Sequence, residues 1–333
     1  MTQSILEGNR LALARLLTQV ENNSPEGRSA LAELFPHTGK SHLIGVTGAP
    51  GTGKSSLVNQ LALHYRKAQD KKVAIVAVDP SSPFTGGAVL GDRVRMRDLS
   101  GDSGVFIRSM ATRGSLGGIA QATAAMAQVF DAAGYEIIII ETVGAGQSEV
   151  EIARLAHTTL VVEAPGFGDD IQAIKAGILE IADVLVINKA DRPGVENTER
   201  ALRTTLELAH PTQHVFRHHG QTMTVPGPGT DLNLWIPLIN RTVATEGKGI
   251  AELAESIAKH AEHLRRSGDW AARDRARLGS EMEALLQETL MVQFFETIQQ
   301  EKYEEVIEKV LNRDLSPYEA VKSLLYGRAS RKE

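Results

Sequence analysis

The 333-residue sequence contains no cysteine, which excludes disulfide bonds and thiolate chemistry. It has no excess of basic residues either, because 36 Lys and Arg stand against 41 Asp and Glu, a formal net charge of −5. This balance argues against bulk binding to nucleic acid or to an acidic membrane. No stretch approaches the ~18–20 apolar residues of a membrane span, and residues 1–20 have no signal-peptide core. We therefore expect a cytoplasmic protein with no nucleic-acid or membrane partner.

A glycine-rich loop between an apolar run and a helical segment carries the strongest functional signal. Residues 48–55 fit G-x-x-x-x-G-K-[ST] and closely follow the apolar run 43–46. In this pattern the loop amides surround phosphates, the lysine contacts the outer phosphates and the hydroxyl binds Mg²⁺. The sequence therefore predicts a nucleotide site in which Lys54 is catalytic and Ser55 is a metal ligand. The predicted nucleotide-binding residues of the loop are Gly48, Pro50, Gly51, Thr52, Gly53, Lys54, Ser55 and Ser56.

A second motif indicates which base the nucleotide carries. The apolar run 184–187 is followed by Asn188, Lys189 and Asp191, which fit N-K-x-D at a strand end, the guanine signature of GTPases. The aspartate accepts hydrogen bonds from guanine N1–H and the exocyclic amine, a donor pair that adenine lacks. The alternative is an ordinary polar turn after a strand. Together with the phosphate loop, the motif favours GTP over ATP.

The end of the four-isoleucine run supplies a further metal candidate. Glu141 follows this run, and Gly144 lies three positions later. In GTPases the acidic residue at this point helps to hold Mg²⁺ through water, and the glycine N–H senses the γ-phosphate. Most GTPases have Asp there, so Glu141 indicates a subclass. Gln147 does not directly follow Gly144, so it is not placed as a water-orienting glutamine, and we expect slow intrinsic hydrolysis.

Three other segments carry acidic candidates, each with a plainer alternative. Asp79 follows the apolar run 73–78 and is either a residue that orders the attacking water or a turn-forming Asp-Pro. Asp92, in the glycine-rich segment 86–93, is a candidate Mg²⁺ ligand and catalytic residue. Asp169 and Asp170 precede a predicted helix that contains Lys175; they form either a switch segment or an ordinary capped turn.

The chain alternates between apolar strands and helical stretches, which predicts an α/β fold. Near-continuous apolar strands indicate a mostly parallel sheet with helices on both faces, as in a P-loop NTPase. We expect helical N- and C-terminal extensions, with domains at 1–40, 41–266 and 267–333. Strands are predicted at 43–47, 72–78, 104–108, 136–140, 158–162, 183–188 and about 234–238. Helices are predicted at 3–20, 25–35, 54–68, 117–132, 148–155, 171–180, 194–209 and 249–266.

Two segments near the C-terminal half remain open between interpretations. His210 and His214 have the i,i+4 spacing of a metal site, but Pro211 lies between them, so a solvated loop over 210–232 is favoured. The C-terminal extension has an apolar stripe at helical spacing, which either packs on the G domain or forms a dimer interface. The stripe consists of Leu285, Leu286, Leu290, Met291, Phe294, Phe295 and Ile298.

Together these motifs resemble the ArgK/MeaB family of P-loop GTPases. The likeness covers nearly the whole chain, and the string E-T-V-G-A-G-Q-S-E is its most specific part. The matching segments are 45–56, 78–83, 86–93, 141–149, 168–177 and 188–191. One departure is Val243, where the family usually has Ser before Ala. Ala244, followed by Thr245, can still offer its backbone N–H to guanine O6.

The resemblance implies a homodimeric, Mg²⁺-dependent G protein that binds GTP and GDP. It further implies a chaperone that gates cofactor loading and protects an adenosylcobalamin-dependent acyl-CoA mutase, chiefly methylmalonyl-CoA mutase. In that family pattern Asp92 joins Ser55 and Glu141 at the metal, and the loop 165–177 signals to the mutase. The alternatives are a kinase linked to basic amino-acid transport, a metallocentre-maturation GTPase, against which the lack of cysteine weighs, and a non-enzymatic nucleotide-dependent scaffold.

Overall fold

The computed structural model describes residues 1–80, 96–99, 101–112, 118–142, 148–166, 180–209, 213–218, 221–226 and 234–326. The chain divides into two compact units, 1–278 and 279–333, which are described separately. The three-domain division predicted from the sequence remains a proposal. None of the helices within the described ranges is both long enough and apolar enough to cross a membrane.

The first unit is built on a seven-stranded sheet in which every neighbouring pair of strands is parallel. The strands are β1 (His42–Thr47), β2 (Val73–Pro80), β3 (Val105–Thr112), β4 (Ile137–Thr142), β5 (Thr158–Glu163), β6 (Val184–Ile187) and, after a separate hairpin, β9 (Leu238–Arg241). Their spatial order is β3-β2-β4-β1-β5-β6-β9. This arrangement confirms the predicted P-loop NTPase class.

Of the α-helices described in this unit, three precede the first strand, four lie between strands, and the last two follow the final strand of the sheet. They are α1 (Thr2–Leu6), α2 (Arg10–Glu21), α3 (Pro25–Leu34), α4 (Lys54–Gln69), α5 (Gly118–Ala132), α6 (Ser148–Leu155), α7 (Val195–Ala209), α8 (Ile250–Ser267) and the start of α9 (Asp269–Thr297). The helix predicted at 171–180 lies almost entirely outside the described residues. The last strand begins at Leu238 rather than near residue 234. Before it, Trp235 donates its indole N–H to the carbonyl of Asp183 at 2.7 Å.

Both faces of the sheet are covered, which explains the continuous isoleucine run. Side chains of a strand alternate between faces, so Ile138 and Ile140 pack with Phe130 of α5, whereas Ile137 and Ile139 pack in the core on the other face. That second core includes α4 and α8 residues such as Leu57, Leu61, Leu253 and Ile257. A strand buried on both sides needs apolar residues at every position.

The N-terminal helices belong to the first of these cores. Leu13, Leu16 and Leu17 of α2 are buried against the same cluster as α5. The prediction of one helix over 3–20 was wrong, because Gly8 adopts φ +87 and ends α1. The side chain of Asn9 then accepts hydrogen bonds from the amides of Leu11 and Ala12, which begins α2 as an N-cap.

The prediction of an irregular loop over 210–232 was wrong for part of that segment. Residues there form an antiparallel hairpin of β7 (Gln213–His218) and β8 (Gln221–Pro226), with His218 opposite Gln221. The alternation of polar with β-branched and aromatic residues in Q-H-V-F-R-H and Q-T-M-T-V-P favours strands. The proline- and glycine-rich residues that follow obscured this pattern. His210 lies outside the described residues.

The second unit is helical and has its own small core. It holds the remainder of α9, followed by α10 (Gln300–Leu311) and α11 (Pro317–Tyr326). Val306, Ala320 and Leu324 are buried there, with Phe294 and Ile298 packed against them. At the start of α11, the hydroxyl of Ser316 accepts from Glu319 N at 3.3 Å, and Glu319 accepts from Ser316 N at 3.2 Å. These reciprocal bonds form a capping box.

Candidate nucleotide-binding site

The phosphate loop joins β1 to α4 at the carboxyl edge of the sheet, and its glycines have a steric requirement. Gly48, Gly51 and Gly53 have φ values of 136°, 80° and 90°, which residues with a Cβ rarely adopt. A Cβ on Gly48 would lie 2.1 Å from the carbonyl oxygen of Val162, and one on Gly53 would lie 2.5 Å from Asn188 Nδ2. At Gly48 and Gly53 the loop therefore passes so close to β5 and to the end of β6 that a residue with a Cβ would clash.

The lysine of the loop lies inside the loop curve. Lys54 is the first residue of α4 and is 6 % exposed. Its ammonium group donates to the carbonyls of Gly48 at 2.8 Å and Ala49 at 3.0 Å. The hydroxyl of Thr52 also donates to Ala49 O, at 2.9 Å. A cation, the amides of a helix N-terminus and a narrow glycine loop together form a site suited to an anion such as a phosphate chain.

The next loop residue meets the acidic candidate from β4. Ser55 Oγ donates to Glu141 Oε1 at 2.6 Å, and Glu141 is fully buried. Parallel pairing places Glu141 opposite Val46 of β1 and Ala77 of β2, just below the phosphate loop. A hydroxyl and a carboxylate are hard oxygen donors of the kind that Mg²⁺ prefers. These two side chains therefore fit a magnesium site beside the phosphates.

Asn188 connects three parts of the site. Its amide group donates to the carbonyl of Thr52 at 2.8 Å, on the phosphate loop. Its Oδ1 accepts from Ala244 N and from Thr242 Oγ1, each at 3.1 Å. Asn188 is 2 % exposed, so these bonds are shielded from water. It fixes the distance between the phosphate loop and the segment after β9.

The rest of the N-K-x-D motif also faces the site. Lys189 has a positive φ of 57° and its ammonium group donates to Gly51 O at 2.6 Å. Ala190 N donates to Thr242 O at 3.0 Å, which ties the motif to the same segment. Asp191 is exposed, so its carboxylate is accessible to a base. The motif thus spans from the phosphate loop to an open face.

The segment after β9 turns sharply beside this motif. Gly249 has φ +76, and a Cβ there would lie 2.1 Å from Arg241 O. Ala244 N–H, assigned to guanine O6 from the sequence, donates to Asn188 in this structure. That N–H must share or exchange its acceptor to reach a base. Thr245 is the exposed residue beside it.

The structure thus brings together most of the predicted phosphate, metal and base residues that it describes. The backbone of Asp79 lies at the carboxyl end of β2, on the same edge of the sheet. Thr242, which supports Asn188, was missed; its only sequence signal is its position just before Val243 and Ala244. Among the residues described, no group of three or more His, Cys, Asp or Glu could hold a metal ion. Predicted residues outside the described ranges are Asp92, Gly144, Gln147, Asp169, Asp170 and Lys175.

The comparison with known protein families supports the same interpretation. The sequence model for the family described as methylmalonyl-CoA mutase-associated GTPase MeaB matches residues 13–299. A protein of Pyrococcus abyssi that carries a provisional GTPase name is 42% identical over 325 residues, covering 98% of this chain and 95% of that protein. The mitochondrial methylmalonic aciduria type A homolog of Caenorhabditis elegans is 31% identical over 284 residues, covering 80% and 66% of the two chains.

A solved structure shares the fold over almost the full length. The crystal structure of a LAO/AO transport system kinase is similar with a TM-score of 0.67 at 25% sequence identity. The match covers 99% of this chain and 96% of that chain. The architecture described above is therefore also found in an experimentally determined structure.

Proposed function

The chain belongs to the MeaB family of methylmalonyl-CoA mutase-associated GTPases, and from this premise we propose that it is a GTP-dependent chaperone of an acyl-CoA mutase. In this proposal the protein hydrolyses GTP to GDP and phosphate. The client is an adenosylcobalamin-dependent enzyme, with methylmalonyl-CoA mutase as the first candidate. Nucleotide state governs cofactor loading and protection of the mutase, while the mutase's own cofactor need not contact this chain.

One observation carries the guanine-nucleotide part of this proposal. Asn188 holds the phosphate loop at Thr52 and the base-side segment at Ala244 within one buried bonding network. A nucleotide bound between them has its phosphates at the loop and its base near Asp191. Guanine supplies the two donors that a carboxylate accepts, and adenine would leave that carboxylate unsatisfied.

We assign the chemistry at the phosphates as follows. Lys54 exchanges the carbonyls of Gly48 and Ala49 for oxygens of the β- and γ-phosphates. Ser55 and Glu141 would hold Mg²⁺. When bound, this ion would neutralise part of the phosphate charge. Asp79, at the end of β2, orders the water that attacks the γ-phosphorus. Positioning and electrostatics supply most of the rate in phosphoryl transfer to water, so no covalent protein intermediate is needed.

The partner and the assembly state extend the proposal further. The family name associates its members with methylmalonyl-CoA mutase, and the Caenorhabditis elegans relative is named after methylmalonic aciduria. We propose that this chain works in the cytoplasm as a homodimer, with slow turnover until the mutase binds. Asp92 and the segment with Gly144, Gln147, Asp169, Asp170 and Lys175 are proposed to change with the nucleotide and to signal to the mutase.

A kinase is the second candidate, because the solved structure with the same fold is that of a LAO/AO transport system kinase. A kinase transfers the γ-phosphate to an acceptor other than water. It therefore releases less inorganic phosphate than GDP, whereas a GTPase releases equal amounts. Measuring both products in one reaction separates the two functions.

The deciding experiment measures GTP turnover by the full-length protein, alone and with purified adenosylcobalamin mutases. We expect slow release of GDP and phosphate in equal amounts, and faster release with the client mutase. Lys54→Ala should lower kcat/KM by about 100-fold or more, since it removes a charge that stabilises the transition state. Lys67→Ala, an exposed lysine on the same helix, is the matched control and should leave turnover unchanged.

The outcomes distinguish the parts of the proposal. Turnover that no mutase changes would refute the chaperone role while leaving the GTPase in place. GDP without matching phosphate would favour the kinase. Turnover that persists in Lys54→Ala would refute the assigned site.

A further inference from the structure

The amino-terminal edge of the sheet, opposite to the nucleotide site, carries polar and aromatic side chains that the proposed function does not use. His42 begins β1, His157 directly precedes β5 and Asp183 directly precedes β6. All three are buried, with exposed fractions of 8 %, 3 % and 7 %. We call this group the amino-edge cluster; it comprises His42, His157, Thr158, Asp183, Trp235, His260, Trp270, Arg273 and Asp274.

The cluster holds the first turns of α9 on the sheet. Arg273 donates through both terminal nitrogens to the two oxygens of Asp183, each at 2.8 Å, and to His157 O at 2.7 Å. The Trp270 ring stacks on the His157 ring, with centroids 4.0 Å apart and planes 20° from parallel. Arg265 lies over the Trp270 ring at 4.3 Å. These contacts all fall within residues 1–278.

His157 is neutral in this arrangement, and its tautomer follows from its neighbours. Its Nδ1 accepts from Leu43 N at 3.1 Å, so that nitrogen carries no proton. Its Nε2 lies 3.0 Å from Asp274 Oδ1, and a carboxylate oxygen accepts, so the ring proton is on Nε2. A second proton would have to sit on Nδ1, facing the N–H of Leu43. Protonation therefore breaks the bond to β1.

Burial and the nearby arginines also favour the neutral ring, and Asp274 opposes them. Burial lowers the pKa of His157; the bond and charge of Asp274 oppose this, and Arg277 and Arg273 lower the pKa further. The neighbouring His42, whose ring centre is 6.1 Å away, has its pKa lowered by burial. His157, His260, Arg265 and Lys71 add to that lowering.

These directions determine how the attachment of α9 depends on pH. A histidine released to water has an ordinary pKa near 6.5, so the released state binds more protons than the attached state. The attached state therefore loses stability as pH falls below about 6.5. Burial raises the pKa values of Asp183 and Asp274, but the interactions of Asp183 with Arg273 and His260, and of Asp274 with His157 and Arg277, outweigh it and bring each to about 2. Both carboxylates thus stay charged while the histidines titrate.

We propose that His157 is a pH-sensitive latch, which holds the first turns of α9 on the amino edge of the sheet when neutral and releases them when protonated. Release breaks the Leu43 N–H bond and the stack on Trp270. The remaining Arg273–Asp183 pair limits the movement to residues near the start of the helix. The latch is independent of the proposed GTPase function, because its residues lie at the opposite edge of the sheet.

The two tryptophans of the chain make the latch directly observable, because both belong to the amino-edge cluster. Trp235 also lies 5.3 Å from His263, so Trp235→Phe is used to leave Trp270 as the single reporter. Release separates the Trp270 ring from His157, which changes the surroundings of the indole and therefore its fluorescence. We expect a sigmoidal change of Trp270 fluorescence between pH 8 and pH 4.5, with a midpoint below about 6.5 and constant far-UV circular dichroism.

Two further variants in the Trp235→Phe background identify the titrating group. His157→Gln should remove the transition. Asp274→Asn keeps an acceptor for Nε2–H but removes the charge, so the midpoint should move about one pH unit lower. Amide hydrogen exchange over residues 270–278 should rise below the midpoint, while exchange in β1 at 44–46 stays slow.

Several results would overturn the proposal. A flat fluorescence profile would show that the ring does not titrate in this range. A transition retained in His157→Gln would assign it to another group. An unshifted midpoint in Asp274→Asn would also assign the transition to another group. This test remains valid even if His157→Gln fails to fold. A normal transition without faster exchange at 270–278 would show protonation without release.

Discussion

Asn188 illustrates how much can depend on a single side chain in a site made of loops. Its one amide group bonds to Thr52, Thr242 and Ala244, which are distant in sequence. All three residues are buried, so loss of the Asn188 amide leaves their hydrogen-bonding groups without this partner. An unsatisfied buried polar group costs about 1–3 kcal/mol. The residue therefore serves both stability and nucleotide affinity.

We predict that Asn188→Ala lowers the free energy of unfolding by about 2 kcal/mol. GTP and GDP affinity should fall at least about tenfold, equivalent to about 1.4 kcal/mol, because the phosphate loop loses its link to the base side. Urea unfolding and titration with a fluorescent guanine nucleotide measure the two effects. Asn197→Ala, an exposed asparagine on α7, is the control. Wild-type affinity in Asn188→Ala would show that the loop does not need this link.

At the scale of elements, the entry of the chain into the sheet depends on a carboxylate near the end of α5. Asp131 accepts from the amides of Gly39, Lys40 and Ser41 at 2.5, 3.2 and 3.0 Å, and from the Ser41 hydroxyl at 2.8 Å. It is 8 % exposed. These three successive amides bond to one buried carboxylate, which holds the segment leading into β1 next to the end of α5.

We predict that Asp131→Asn destabilises the protein by about 2 kcal/mol, because hydrogen bonds to a charged group contribute about 1.5–3 kcal/mol and an amide nitrogen cannot accept. Thermal and urea unfolding measure the change. Asp70→Asn, whose side chain is 95% exposed, should change stability by less than about 1 kcal/mol. Equal effects of the two substitutions would contradict a special role of Asp131.

Local patterns predicted the elements well and their junctions poorly. The isoleucine run, the phosphate loop and the N-K-x-D motif each lie within a few consecutive residues, so the parallel sheet and the nucleotide edge could be predicted. The break at Gly8 depends on the N-cap bond of Asn9, and the hairpin before β9 was obscured by glycine and proline. The amino-edge cluster could not be predicted, because His42, His157 and Arg273 meet only after the strands and α9 are assembled.

At the scale of the whole molecule, the second unit carries several large apolar side chains that are exposed. Phe294 and Ile298 of the predicted stripe pack inside this unit. Leu285, Leu286, Leu290, Met291 and Phe295 are between 43% and 56% exposed. Part of the stripe thus serves the core of its own unit, and part is available for another surface. Contiguous exposed apolar side chains of this kind favour an interface.

We predict that the full-length protein is a homodimer whose interface includes this exposed part of α9. The double variant L286E/L290E should shift sedimentation from dimer to monomer, with a Kd at least about tenfold weaker, because charged side chains would be buried in an apolar contact. Its circular dichroism and GTP binding should match the wild type, since both leucines are exposed. Leu208→Glu, an apolar residue 78% exposed on α7, is the matched control and should remain dimeric. A wild type that sediments as a monomer at tens of micromolar, or an unaffected double variant, would place the interface elsewhere or remove it.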